Sequence, residues 1–209
     1  MSEIIVDEYN VFGNYYDRFN TKNPIARIIM HSYIKAIKTL AVPLQVNNIL
    51  EIGCGEGGFT QILHELKPDK TYEAIDVDKN GIEENKKIFP GVVFKVMSVY
   101  DMTYPDCSQD FIVVIDVLEH LKDFHKALTE IKRVSSKYLL FACPREPIFR
   151  ILNIARLTYL KDWGNTPGHV NHWSTKKFVE LIRSYFKIVR VLKPLPFTVI
   201  LCRNETSNK

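Results

Sequence analysis

From residue 47 onward the chain alternates short apolar runs with segments of helical spacing, and this rhythm admits few folds. NNILEIGC is followed by GFTQILHELK, which Pro68-Asp69 closes, and TYEAIDVD by the polar helix NGIEENKKIF, which Pro90-Gly91 closes. VVFKVMSV, DFIVVIDVL, the helical FHKALTEIKRV and YLLFACP continue the pattern. Parallel strands need long crossovers, usually helices, and those helices cover both faces of the sheet. The expected class is therefore α/β, a mostly parallel sheet between two helical layers.

Both flanks depart from the rhythm. Asn23-Pro24 reads as a cap and first turn, and Ile25, Ile28, Ile29, Tyr33, Ile37 and Leu40 recur at helical spacing up to Pro43. Near the other end, PIFRILNIARLTYLK (147–161) is an apolar stripe with Arg150, Arg156 and Lys161 interleaved. It reads as a packed lid helix, with contact to a bilayer as the alternative. The loop WGNTPGHVNHW leads into the helix STKKFVELIRSYF, capped by Ser174. KIVRVLKPL and FTVILCR have no helix between them and should pair as an antiparallel hairpin.

Composition bounds the function. With 209 residues, 46% of them apolar, the chain can form one domain with a substantial core, here taken as 1–209. No apolar run reaches the roughly 18 to 20 residues of a membrane span, and MSEIIVDEYN has no secretory signature, so a cytoplasmic location is expected. Cys54, Cys107, Cys143 and Cys202 are widely spaced with no CxxC pair and read as reduced thiols. The net charge of +4 is uneven: residues 145–209 hold 12 Lys or Arg against 4 Asp or Glu. That basic end suits an anionic substrate, RNA or a membrane surface, or is simply solvated.

The chemistry is written in ILEIGCGEGGFT, residues 49–60. Gly53, Gly55 and Gly58 spell GxGxxG between a strand and a helix, and Asp76 closes the next strand, which satisfies a dinucleotide fingerprint. Glu51 argues against that ligand, because a carboxylate at the lip of the crevice repels a pyrophosphate and attracts a cation. S-adenosylmethionine is cationic, lacks phosphate, and has a ribose that needs an acceptor such as Asp76.

At these residues the sequence resembles the class I S-adenosylmethionine-dependent methyltransferases, over roughly residues 45–202. The family motif acid-x-Gly-x-Gly-x-Gly falls on Glu51, Gly53, Gly55 and Gly57. The resemblance implies a Rossmann-like, doubly wound, seven-stranded sheet of order 3-2-1-4-5-7-6, its last strand antiparallel. It implies S-adenosylmethionine bound by Glu51, Gly53, Cys54 (through its backbone), Gly55, Asp76, Val77, Ser98, Val99 and Asp116. It also implies covers from an N-terminal helical segment (1–44) and from an insertion after strand five (145–173), with a frayed tail at 203–209. Tyr16 or Arg27 is expected near the cofactor's carboxylate, with a packed Tyr16 and a solvated Arg27 as the alternative, and Asp78 is expected as a helix cap.

Methyl transfer is an in-line displacement that needs alignment in a dry pocket, and a base only where the acceptor is protonated. His120 and His169 are the candidate catalytic residues, with His172 read as structural. Asp116, Glu119 and His120 with a loop histidine also resemble the metal site of small-RNA 3′-end methyltransferases; the site is read without a metal, a divalent ion being the alternative. The functional expectation is methyl transfer to a small or amphiphilic acceptor, at oxygen. The alternatives are an RNA methyltransferase and a non-catalytic binding subunit of the same fold.

Overall fold

The computed structural model describes residues 21–157 and 159–205. Its elements are α1 (Pro24–Ala41), β1 (Asn48–Ile52), α2 (Gly58–Leu66), β2 (Thr71–Asp76), α3 (Lys79–Ile88), β3 (Val93–Val96), β4 (Gln109–Ile115), α4 (Phe124–Val134), β5 (Ser135–Pro144), α5 (Ile148–Ala155), α6 (Thr175–Arg183), β6 (Lys187–Leu192) and β7 (Phe197–Arg203). The seven strands form one sheet in the order β3-β2-β1-β4-β5-β7-β6. β1 to β5 pair in parallel, and β7 runs antiparallel between β5 and β6. The expected topology is the one found.

Side chains alternate across the central strands and fill two separate cores. Ile49, Phe111 and Val113 pack with Tyr33 and Ile37 of α1, Phe59 and Leu63 of α2 and Ile82 of α3. Their neighbours Leu50, Ile112 and Val114 pack with Leu128 and Ile131 of α4 and Phe178 and Ile182 of α6. All seven positions of β4 are buried, as a strand covered on both faces requires. Each fully buried large apolar side chain contributes roughly 1.5–3 kcal/mol, so this sheet is a stiff platform for the loops at its rim.

The helix starts follow from the capping chemistry. Asn23 Oδ1 accepts from the amides of Ile25 and Ala26 at 2.9 and 3.2 Å. Asp78 caps α3 by accepting from Asn80 N at 3.0 Å, and Ser174 caps α6 from Lys177 N at 3.4 Å.

Three expectations are corrected. The single helix read into 147–161 ends at Ala155, because Leu157 and Tyr159 take left-handed φ of +57° and +56°, incompatible with a right-handed helix. A short 3₁₀ turn, Leu160–Asp162, follows. The strand read into VVFKVMSV is only Val93–Val96; Met97 N makes one further bond to Asp76 O at 2.9 Å, and the chain turns at Val99. Finally, residues 203 and 204, expected in a frayed tail, are held: Arg203 pairs with Tyr138, and the buried Asn204 donates to the carbonyls of Lys132 and Ser135 at 2.9 and 2.8 Å. Tyr16, the first 20 residues of the helical cap segment and residues 206–209 lie outside the described residues. Among the described residues no helix is long and apolar enough to cross a membrane.

Candidate active site

The sheet reverses its order at β1: the chain steps outward to β2 and β3, then crosses to β4 on the other side of β1. Open α/β sheets bind ligands outside the carboxyl ends of the strands at such a point. A cavity of about 880 Å³ lies there, walled by the loops after β1 to β4 and bounded by α1 and α5.

The turn after β1 needs its glycines at particular places. Gly53, Gly55 and Gly57 hold φ of +72°, +49° and +78°, whereas Gly58 is already helical. The left-handed glycines are thus those of the acid-x-Gly-x-Gly-x-Gly reading, not of GxGxxG. A Cβ on Gly53 would come within 2.4 Å of Val117 Cγ2, while one on Gly55 would meet nothing and faces open space. Amides of Gly53 and Cys54 donate to Ile75 O at 2.8 and 3.2 Å, fastening the turn to β2. Cys54 lines the cavity beside it, its thiol pushed well up by burial and then by Glu51 and Asp76.

Glu51 is set back from the lip where the sequence reading placed it. It lies on the α2 side of β1, buried, and Oε2 accepts from Thr60 Oγ1 at 2.6 Å and Tyr72 Oη at 2.9 Å. Burial raises its pKa to about 7, with the two hydrogen bonds opposing the rise and Asp76 adding to it. Its charge is therefore pH-dependent near neutrality, and any attraction for a cation varies with it. Thr60 and Tyr72 escaped notice in the sequence; a polar residue on the buried faces of α2 and β2 was the available signal.

Asp76 holds the two neighbouring loops. Oδ2 accepts from Gly55 N at 2.8 Å and Oδ1 from Asp78 N at 2.9 Å. Each oxygen keeps a further lone-pair direction, so ribose hydroxyls can be accepted without breaking either bond. Val77, Met97, Val99 and Tyr100 continue the wall. Ser98, expected among the cofactor-binding positions, is not one of the lining residues; its Oγ accepts from Tyr100 N at 3.1 Å and shapes the turn.

Asp116, at the end of β4, has φ of +54°, an uncommon conformation that Asp tolerates better than most residues. Its Oδ1 accepts from Tyr33 Oη at 2.9 Å. Tyr33 is wholly buried, stacked on Phe197 with ring centroids 3.8 Å apart, and it ties α1 to the floor of the cavity. The sequence shows Tyr33 only as one more apolar position of a helix, although a buried tyrosine hydroxyl calls for a partner. Arg27 is exposed and does not line the cavity, the second of its two readings, because Ala26 and Met30 share the cavity face of α1 and Arg27 lies a quarter-turn off it.

The 3₁₀ turn Leu118–His120 meets the loop 165–173 at the far end of the cavity. Glu119 O accepts from Val170 N and Asn171 N at 2.9 and 3.0 Å, and Asn171 Nδ2 donates to Leu118 O and Leu121 O at 3.2 and 2.7 Å. These bonds bring together Glu119, His120 and His169, whose carboxylate and imidazole ligand atoms lie within 4.8 Å of one another. His120 Nδ1 bonds Gly168 O at 3.0 Å. A carbonyl only accepts, so Nδ1 carries the hydrogen and Nε2 of the neutral ring is the basic nitrogen. His172 is turned elsewhere, bonding Asn165 Oδ1 at 2.7 Å, with its pKa lowered by burial and then by Arg150. Cys143, beneath Glu119, is pushed far up by burial and by the Glu119 and Asp116 charges, so it is no nucleophile.

Residues 50–139 match the family model described as "Methyltransferase domain". Over that stretch the chain is similar to a methyltransferase domain. The ubiquinone/menaquinone biosynthesis C-methyltransferase UbiE of Rickettsia bellii is 25% identical over 144 residues, covering 64% of this chain and 58% of that protein. UbiE of Rickettsia massiliae is 24% identical over the same length and coverage. The chain thus spans less than two thirds of these relatives. The methyltransferase fold is shared with the PH0226 protein from Pyrococcus horikoshii OT3, at a TM-score of 0.69, 17% identity, and coverage of 95% of this chain and 99% of that one. A SAM-dependent methyltransferase from Aquifex aeolicus aligns at a TM-score of 0.65 and 17% identity, covering 87% and 94%.

Proposed function

We propose that this methyltransferase domain binds S-adenosylmethionine at the glycine turn and transfers its methyl group to a small amphiphilic acceptor bearing a hydroxyl. The observation that carries the reading is one continuous cavity. Gly55 and Asp76 stand at one end of it, His120 and His169 at the other, and Phe149 and Leu152 of α5 contribute apolar wall between α1 and the sheet. Asp76 accepts from the ribose, the backbone at Gly53–Gly55 admits the amino-acid portion, and Met97, Val99 and Tyr100 flank the adenine. Glu51 and Asp116 supply negative potential toward the ammonium and sulfonium.

The sulfonium is already a good leaving group, so the chain's work is to align the acceptor and exclude water. His120 Nε2 takes the acceptor proton, and His169 orients the imidazole from the facing loop. With S-adenosylmethionine held by Asp76 and the Gly53–Gly55 backbone, its methyl group would pass to the deprotonated acceptor oxygen, and S-adenosylhomocysteine would leave. Residues 145–173 act as the lid of what we read as a single domain. The names of the Rickettsia relatives, C-methyltransferases, support a second acceptor atom: a ring carbon made electron-rich by the same deprotonated hydroxyl. The close grouping of Glu119, His120 and His169 favours one further reading, since a carboxylate with two imidazoles is a donor set suited to a divalent ion. In that case EDTA abolishes turnover and Mg²⁺ or Mn²⁺ restores it.

Calorimetry with S-adenosylhomocysteine tests the cofactor claim, and absence of binding sinks it. Incubation with methyl-labelled cofactor and candidate phenols or other hydroxylated amphiphiles, followed by NMR of the product, distinguishes O-methyl from C-methyl.

A further inference from the structure

Two segments far apart in sequence frame the mouth of the cavity, and both present apolar side chains to solvent. Ile25 lines the cavity from α1 and is 68% exposed, with Ile28 one turn on at 70%. Beyond α5, Leu157 and Trp163 are 78% and 77% exposed, joined by Ile151 and Leu160. Single exposed apolar residues are ordinary, but a group of this size on two segments that both border one cavity, through Ile25 and Ala26 on one and Leu152, Arg156 and Tyr159 on the other, marks an interaction site.

The backbone makes the same point independently. Leu157 and Trp163, the most exposed of the set, are non-glycine residues held at φ of +57° and +52°. Such conformations persist only where surrounding contacts hold them. Arg150 Nε donates to Trp163 O at 3.2 Å, and Gly164 N to Tyr159 O at 2.9 Å, fixing the backbone while the indole projects outward. The charge is one-sided. Residues 21–31 carry Lys22 and Arg27 and no acid; residues 148–163 carry Arg150, Arg156 and Lys161 against Asp162 alone. Apolar side chains interleaved with cations, with a tryptophan at the rim, match an interface of acyl chains beneath anionic headgroups. The core of a protein interface is instead depleted of charge.

We propose that this rim docks the chain on an anionic lipid surface, with Leu157 and Trp163 inserted and Lys22, Arg27, Arg156 and Lys161 at the headgroups. The docked cavity then opens onto the bilayer, so its acceptor is a lipid-dissolved amphiphile; that last step rests on the methyl-transfer reading, whereas the docking does not.

The test uses the full chain with vesicles of phosphatidylcholine, alone or mixed with phosphatidylglycerol. Flotation with the mixed vesicles, a blue shift of tryptophan emission lost in Trp163→Phe, and release by salt are expected. Joint Leu157→Ala and Trp163→Ala lowers the bound fraction about tenfold or more. Lys22→Glu with Lys161→Glu removes the preference for anionic lipid. Unchanged S-adenosylhomocysteine binding in these variants shows that they are folded and separates a failure of docking from a failure of the cofactor claim. The proposal is overturned if neither vesicle binds, if the double alanine variant floats like the parent, or if Trp163 is shielded only by concentration-dependent self-association.

Discussion

The two ends of the cavity are built on different principles. At the glycine turn, polar groups are satisfied by backbone and carboxylate: Asp76 accepts from Gly55 and Asp78, and Asn85 Nδ2 donates to Gly55 O at 2.7 Å. At the lid, the chain leaves regular structure after eight helical residues and exposes Leu157, Leu160 and Trp163. The first end is prearranged for one polar ligand, with little left to reorganise on binding. The second offers apolar surface and a few hydrogen-bonded anchors, an arrangement that on the proposed reading selects an acceptor by shape and solubility.

The sharpest break between the ends should come from His120→Ala. Turnover is expected to fall by about 10²- to 10⁴-fold, as for loss of a general base, while affinity for S-adenosylhomocysteine stays within error. An unchanged rate would make His120 a purely structural anchor for Gly168.

Glu51 tests the cofactor end through pH. Its folded pKa of about 7 lies above the unfolded value of 4.5, so between these values the native state keeps a proton that the unfolded chain has released. Its contribution is therefore fully present below 4.5 and is lost as pH rises to about 7, a change of about 3 kcal/mol. Thermal melts of Glu51→Gln against the parent across that window should differ in slope by this contribution; parallel curves would contradict the buried-charge account. A bound ammonium favours the carboxylate, so cofactor binding should release a proton near pH 7, read as a buffer-dependent enthalpy that Glu51→Gln abolishes.

Asp76→Ala removes a charged acceptor from the ribose and two bonds from the loops. Cofactor affinity should drop about a hundredfold, from hydrogen bonds worth roughly 1.5–3 kcal/mol to a charged group, with only a modest loss of stability. Loss of the fold itself would mean that Asp76 is a loop clamp first. The mildest effect belongs to Asn171→Ala, which frees the lid loop from Leu118 and Leu121. A destabilisation of about 1–2 kcal/mol is expected, with a raised KM for the acceptor and an unaltered Kd for the cofactor. A changed cofactor Kd would mean the two ends are coupled.

What could be read from the sequence divides along the same line. Strand and helix alternation, the caps at Asn23, Asp78 and Ser174, and the glycine turn are local: each follows from a few neighbouring residues whose backbone preferences have one good solution. The strand order, expected from the family resemblance and not from any local pattern, is the one found, and the glycines of the acid-x-Gly-x-Gly-x-Gly reading turn out to be the left-handed ones. Whether Arg27 is solvated or turned to the cavity was open in the sequence, because that depends on the phase of α1; the exposed position is the one found. The lid was misread for a related reason: apolar spacing over 147–161 suits a helix, and only nonlocal bonds from Arg150 and Gly164 show that the chain turns back instead.

By itself, the sequence determined the α/β class and where the glycine turn falls, since periodicity and glycine placement act over short distances. Only the tertiary structure decided that Glu51 is buried against Thr60 and Tyr72, that Tyr33 reaches Asp116 across 83 positions, and that His169 comes to His120. Desolvation and hydrogen-bond geometry depend on which surfaces the folded chain brings together, and no local pattern encodes those distances.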